Sequence, residues 1–197
     1  MAETIETRPF PPFLPKKATV MMMGTFPPEQ SKRAMEFHYP NFQNDMWRVF
    51  GLVFFDEKDH FRNGEEKAMD PEKIKAFLSE AGIASCPTVL KAIREKGNAS
   101  DAFLKVVEPV PLADVLKQIP DCKHIGTTGG KATEILLSLL PEKVKLPKTG
   151  ETIPFVFNGR ELTLTRLPST SRAYPLSLPK KAEAYKNFFK ACGLKTK

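Results

Sequence analysis

Two short stretches of the chain concentrate side chains that can bind and polarise a flat polar ligand. The first joins Gly24-Thr25-Phe26-Pro27-Pro28 to Phe37-His38-Tyr39-Pro40-Asn41-Phe42-Gln43-Asn44-Asp45-Met46-Trp47. Its prolines make a rigid turn, and its second half packs aromatic rings, carboxamides and one acid into a short loop. An aromatic face can stack on a nucleobase taken out of its helix, an amide can pair with the base edge, and an amide or carboxylate can orient an attacking water. The same residues also fit a structural loop capped by Asn44, with its aromatics filling the core. The second stretch is Leu164-Thr165-Arg166-Leu167-Pro168-Ser169-Thr170-Ser171-Arg172-Ala173-Tyr174-Pro175. Hydroxyls and backbone amides in its Pro-Ser-Thr-Ser turn can grip phosphate oxygens, and proline stiffens the grip. The competing account is a surface turn flanked by two arginines.

The surrounding pattern says what must position these loops. Residues 18–24 form a continuous apolar run ending in Gly24, as expected of a strand buried on both faces of a parallel sheet. Residues 122–128 read as a second core strand, and residues 153–165 as a hairpin turning at Asn158-Gly159, a pair that tolerates positive φ. Helices are expected after the Asn44 cap, from Asp70-Pro71 to Gly82, over 88–96, 100–107, 112–118 and 130–140, and from Ser177 with Pro179 towards Gly193. Residues 1–17, with Pro9, Pro11, Pro12 and Pro15, form an extended lead-in. Strands alternating with helices argue for one α/β domain over 1–197, a three-layer arrangement with a central, mainly parallel sheet. In such sheets ligands sit at the carboxyl ends of strands, where both loops begin.

The chain has 197 residues, 41% hydrophobic and 27% charged, with a net charge of +7. That balance suits a soluble globular protein and a polyanionic partner such as nucleic acid. A late run of Lys143, Lys145, Lys148, Arg160, Arg166, Arg172, Lys180 and Lys181 sharpens the second point, although a solvated basic surface would look the same. No apolar stretch nears the roughly 20 residues of a membrane helix, and the acidic start is unlike a secretory signal, so a cytoplasmic location and no membrane partner are expected. Three widely spaced cysteines and three scattered histidines point to packed thiols and to no metal.

Taken in order, the Gly-x-x-Pro turn after the first strand, the aromatic, Pro and Asn loop before Trp47, and Leu167-Pro168-Ser169-Thr170-Ser171 resemble the uracil-DNA glycosylase superfamily, most closely its hypoxanthine-DNA glycosylase-like, mismatch-specific branch. The resemblance spans Gly24 to Ser171. It implies a glycosylase-like α/β fold and a monofunctional enzyme of base excision repair that acts as a monomer without cofactor. Its substrate would be DNA carrying uracil, hypoxanthine or xanthine. Gly24, Thr25, Phe26 and Pro27 match the superfamily's water-activating loop, but Phe26 stands where several branches have Asp or Asn. The hypoxanthine-type branch also lacks a polar residue there and uses the Asn of its second motif, so the resemblance implies Asn44 as the catalytic residue, with Asn41 as rival because about two extra residues follow Pro40. Phe37 matches the aromatic that stacks under the base, with Tyr39 competing. Leu167, Pro168, Ser169, Thr170 and Ser171 match the loop that pinches the DNA backbone, with Arg172 flanking it; apart from the resemblance, Lys131 in the strand-to-helix turn after residue 128 is expected near the DNA. Leu167 replaces a His or Asn that supports the leaving base elsewhere, and Pro87 an Asp often found in relatives.

Two further readings use the same residues. One is a catalytically silent nucleic-acid-binding protein that lost its water-activating group at Phe26, and the other is an enzyme acting on free nucleosides or nucleotides. Gly126-Thr127-Thr128-Gly129-Gly130-Lys131-Ala132 is not a phosphate loop, having three residues between its glycines where four are needed and Ala132 after the lysine. Met21-Met22-Met23 fills the core, and Cys86 has no sequence neighbour to activate it.

Overall fold

The computed structural model describes residues 3–95 and 103–197. Its main sheet is built around β2 (Val20–Met23), whose four residues are all buried. Val20 and Met22 face one core cluster while Met21 and Met23 face the other, which is why the run is apolar at every position. β3 (Ile83–Ser85) lies parallel on one side of β2, and β6 (His124–Thr128) lies parallel on the other. Beyond β6 come β8 (Arg160–Leu167), parallel, and the antiparallel edge strand β7 (Thr152–Phe157). The order β3-β2-β6-β8-β7 reverses direction at β2, so a crevice opens at the carboxyl ends of β2 and β6.

One face of this sheet carries α1 (Met46–Phe55), α2 (Pro71–Ala81) and α5 (Leu178–Ala191), packed through Trp47, Phe50, Leu78, Tyr185 and Phe189. The opposite face carries α3 (Leu112–Gln118) and α4 (Gly130–Ser138), which supply Leu112, Val115, Leu116 and Leu136. Helix, sheet and helix make the three layers that strand and helix alternation implies.

Local signals placed several boundaries well. Asp70 accepts from the Glu72 and Lys73 amides, Pro71 opens α2, and the helix ends at Gly82. Asn158 and Gly159 both take positive φ, joining β7 to β8 through the expected tight turn. Ser177 precedes α5 but makes no side-chain cap.

Two expected helices are strands. Residues 88–96 contain β4 (Val89–Arg94), and 100–107 overlap β5 (Leu104–Pro109); 96–102 lie outside the described residues. These strands pair antiparallel with each other and with β1 (Ile5–Thr7) in a second, three-stranded sheet. Register irregularities between Val89 and Ala92 break the inward–outward alternation that marks a strand. One of the two pairing partners of β4, moreover, is β1, more than eighty residues earlier in the chain. The lead-in also differs from expectation: it contributes β1, and Phe13 bridges to Ser85 beside the main sheet.

Candidate active site

A cavity of about 580 Å³ lies at the carboxyl end of the main sheet. Both loops singled out in the sequence reach it. Gly24, Thr25, Phe26 and Pro27 leave β2 and form one wall; Ser169, Thr170 and Ser171 leave β8 and form another. Tyr39, Asn41 and Asn44 line it from the segment before α1. The Asp45 amide donates to the Thr170 carbonyl at 2.9 Å, tying the Asn44 segment directly to the Pro-Ser-Thr-Ser turn.

Gly24 is set by close approach. A Cβ there would stand 2.7 Å from Tyr39 Oη and 3.2 Å from Thr128 Oγ1, which hydrogen-bond each other at 3.2 Å. Glycine lets the end of β2 pass beneath this pair, and Tyr39 itself adopts a φ of 52° to reach it.

Asn44 is held from three sides. Its Oδ1 accepts the Met46 amide at 2.9 Å, and its carbonyl accepts from Arg48 Nη1 at 3.0 Å. Its own amide donates to the Asn41 carbonyl at 2.9 Å. Arg48 also donates to the Phe42 carbonyl, and its guanidinium lies 4.6 Å from the Phe42 ring centroid. The expected cap shifts by one residue: Asp45 occupies the N-cap position of α1 without making a side-chain cap. Its carboxylate instead meets Lys181 Nζ and Arg172 Nη2, each at 3.2 Å, with Arg48 at 3.8 Å. Lys181 is 1% exposed and also donates to the Ser171 carbonyl at 2.9 Å.

Four expected site residues stand outside the cavity lining. Phe37 is 3% exposed in the core, stacked on His38 at 4.6 Å and near-parallel to Trp47 at 6.1 Å. Facing the core aromatics gives that ring more contact than the cavity would, and Tyr39 lines the cavity in its place. Pro168 is buried behind the turn, where its carbonyl accepts the Tyr185 hydroxyl. Arg172 and Lys131 are not lining residues; Arg172 turns to Asp45 and Lys131 lies in the first turn of α4. Phe26 lines the cavity and also packs on the small cluster of Val89, Ala92 and Leu104, with the Arg94 guanidinium 5.3 Å from its ring.

Three members of the basic run serve the fold. Arg160 donates to the carbonyls of Leu116, Ile119, Pro120 and Cys122, satisfying the C-terminal end of α3 and the turn after it. Arg166 donates to the Pro147 carbonyl, and Lys181 is buried on Asp45. Burial pushes the thiols of Cys86 and Cys122 up to about 11 and that of Cys192 to about 12, as for packed cysteines. Among the described residues no cluster of His, Cys, Asp or Glu could hold a metal, and no helix is long and apolar enough to cross a membrane.

The cavity also contains residues to which the sequence assigned no individual role. Phe10 comes from the lead-in, His38 and Ser85 from the floor, Thr128 from the end of β6 and Tyr174 from beyond the Pro-Ser-Thr-Ser turn. His38 Nδ1 and Ser85 Oγ lie 2.6 Å apart, and His38 Nε2 lies 2.9 Å from the Pro11 carbonyl. Burial, with the positive charges of Arg8 and Lys75, lowers the His38 pKa to about 4 against the pull of the Pro11 carbonyl, so the ring is neutral near pH 7.

No protein-family model and no curated protein matches the chain. Among solved structures, it is similar to the solution NMR structure of a "putative Uracil DNA glycosylase" from Methanosarcina acetivorans, at 20% identity and a TM-score of 0.62. The match covers 96% of this chain and 99% of the other. With its helix–sheet–helix layers and crevice at the carboxyl ends of β2 and β6, the chain thus has a uracil-DNA glycosylase-like fold.

Proposed function

We propose that the chain is a monofunctional DNA N-glycosylase that hydrolyses the bond between deoxyribose and a deaminated base, namely uracil, hypoxanthine or xanthine. The observation that carries this reading is the convergence of three segments on one cavity: the Gly24 turn, the Asn44 loop and the Pro-Ser-Thr-Ser turn. The solved structure that shares the fold bears a glycosylase name, which supports the same reaction class.

In this reading the flipped nucleotide enters with its base among the aromatic walls, where Tyr39 replaces Phe37 as the stacking candidate. Asn44 holds a water through its carboxamide, whose Oδ1 accepts the Met46 amide while Arg48 holds the residue's backbone carbonyl. As the bond from C1′ to the base nitrogen stretches, its electron pair leaves with the base and the sugar gains oxocarbenium character. The water oxygen bonds to C1′, and its proton passes through solvent to the departing base. A carboxamide is too weakly basic to take that proton, so Asn44 acts by positioning and electrostatics. Asn41 also lines the cavity, but its Oδ1 accepts the Gln43 amide within the exposed part of the loop. Ser169, Thr170 and Ser171, with Arg172 alongside, contact the phosphates flanking the flipped nucleotide.

The test uses duplex and single-stranded oligonucleotides carrying each damaged base, with alkali added after incubation. Strand breaks that require alkali and disappear in Asn44→Ala support the proposal. Salt-sensitive binding without breaks identifies a silent binding protein, an alternative favoured by the apolar Phe26. Base release from free nucleosides alone identifies a nucleoside hydrolase.

A further inference from the structure

His38 and Ser85 form a hydrogen-bond relay whose polarity is fixed from the protein side. A carbonyl oxygen only accepts, so the contact between His38 Nε2 and the Pro11 carbonyl requires a proton on Nε2. The neutral ring then has a bare Nδ1, which only accepts. The single hydroxyl proton of Ser85 must therefore point at Nδ1, 2.6 Å away. What remains on Ser85 Oγ is its lone pairs, and Ser85 lines the cavity. An isolated serine rotates its hydroxyl to suit either a donor or an acceptor; this one is held to a single role.

We propose that Ser85 is a specificity-determining residue that accepts a hydrogen bond from a ring N–H of the bound base, with His38 and the Pro11 carbonyl as its positioning residues. Deamination of cytosine and adenine creates such a group: uracil carries an imide N3–H and hypoxanthine a lactam N1–H, whereas guanine already carries N1–H, so the discrimination applies to those two products and not to xanthine. At the equivalent ring position cytosine and adenine carry an unprotonated nitrogen, whose lone pair would face that of Ser85. A site built to pair with one polarity rejects the other strongly, because the buried oxygen would be left opposed. The ring is not a general base for Ser85: its burial keeps it neutral and weakly basic, and Pro11 holds its other nitrogen.

This inference rests on the base-excision reading of the cavity, and its test separates the two. Binding is measured on duplexes whose target nucleotide carries 2′-fluoroarabinose, which resists cleavage, placed opposite an abasic site so that base pairing does not contribute. The wild type is expected to prefer hypoxanthine over adenine, and uracil over cytosine, by tenfold or more. Ser85→Ala is expected to bring both ratios close to one, Ser85→Thr to keep them, and both variants to bind a tetrahydrofuran abasic duplex as the wild type does. Nitrogen NMR of the His38 ring near pH 7 is expected to show the proton on Nε2. A proton on Nδ1, a wild type without preference, or ratios unchanged in Ser85→Ala would overturn the inference. Cleavage of deaminated DNA with unchanged ratios leaves the glycosylase reading standing without it. A Ser85-dependent preference in a protein that never releases base leaves the relay standing without the glycosylase.

Discussion

Asn44 and His38 are close in sequence but do opposite things in the cavity. Asn44 keeps a carboxamide fixed at the rim, and its replacement by Ala is expected to lower the rate of base release at least about 100-fold, the scale of losing one preorganised polar group. DNA affinity should change little, and Asn41→Ala should cost far less; single-turnover cleavage beside binding isotherms checks both. His38 is a buried, neutral ring, and its protonation opposes folding. The unfolded chain protonates this histidine near its ordinary 6.5 while the folded protein resists until about 4, so the unfolded state binds more protons in between. Its contribution is full above pH 6.5 and is lost as the pH falls towards 4, amounting to about 3 kcal/mol at 1.36 kcal/mol per pH unit. Urea unfolding across that range, with a His38→Gln comparison that flattens the slope, measures it.

At the scale of elements, the question is what keeps the two loops in register. The amide of Asp45 binds the Thr170 carbonyl while its carboxylate binds Lys181 from α5, which in turn holds the Ser171 carbonyl. Lys181 therefore joins α1, α5 and the Pro-Ser-Thr-Ser turn. Lys181→Met leaves Asp45 to Arg172 and Arg48 but takes the donor from the Ser171 carbonyl, so it is expected to cost about 1–3 kcal/mol. A double-mutant cycle of urea midpoints with Asp45→Asn isolates the share that belongs to the Lys181–Asp45 pair. Gly24→Ala is expected to push Tyr39 and Thr128 apart, costing about 1–3 kcal/mol and blocking base entry, as thermal melts and cleavage assays would show.

For the whole molecule, a net charge of +7 sets the expectation for binding a polyanion, but the charges are not equivalent. Arg160 is spent on four carbonyls at the end of α3, so Arg160→Ala should destabilise the protein and leave the salt dependence of DNA binding as it was. If Arg172 and Lys131 contact phosphates as proposed, each alanine variant should reduce the slope of log affinity against log salt by about 1. Titrations at several salt concentrations distinguish the two classes.

The sequence by itself determined the elements governed by neighbours along the chain. These are the buried run of β2, the Asp70 cap and Pro71 of α2, the Asn158-Gly159 turn, and the two loops at strand ends. Each follows from the chemistry of a few consecutive residues. Only the tertiary structure decided that residues 89–94 and 104–109 are strands, because their partners come from β1 and from each other and their alternation is interrupted. It also moved Phe37 into the core and brought Phe10, His38 and Ser85 together at the cavity, with the Pro11 carbonyl on the His38 ring. A hydrogen bond spanning 47 residues leaves no trace in local spacing: its energy depends on where β3 and the lead-in pack, and the whole fold sets that.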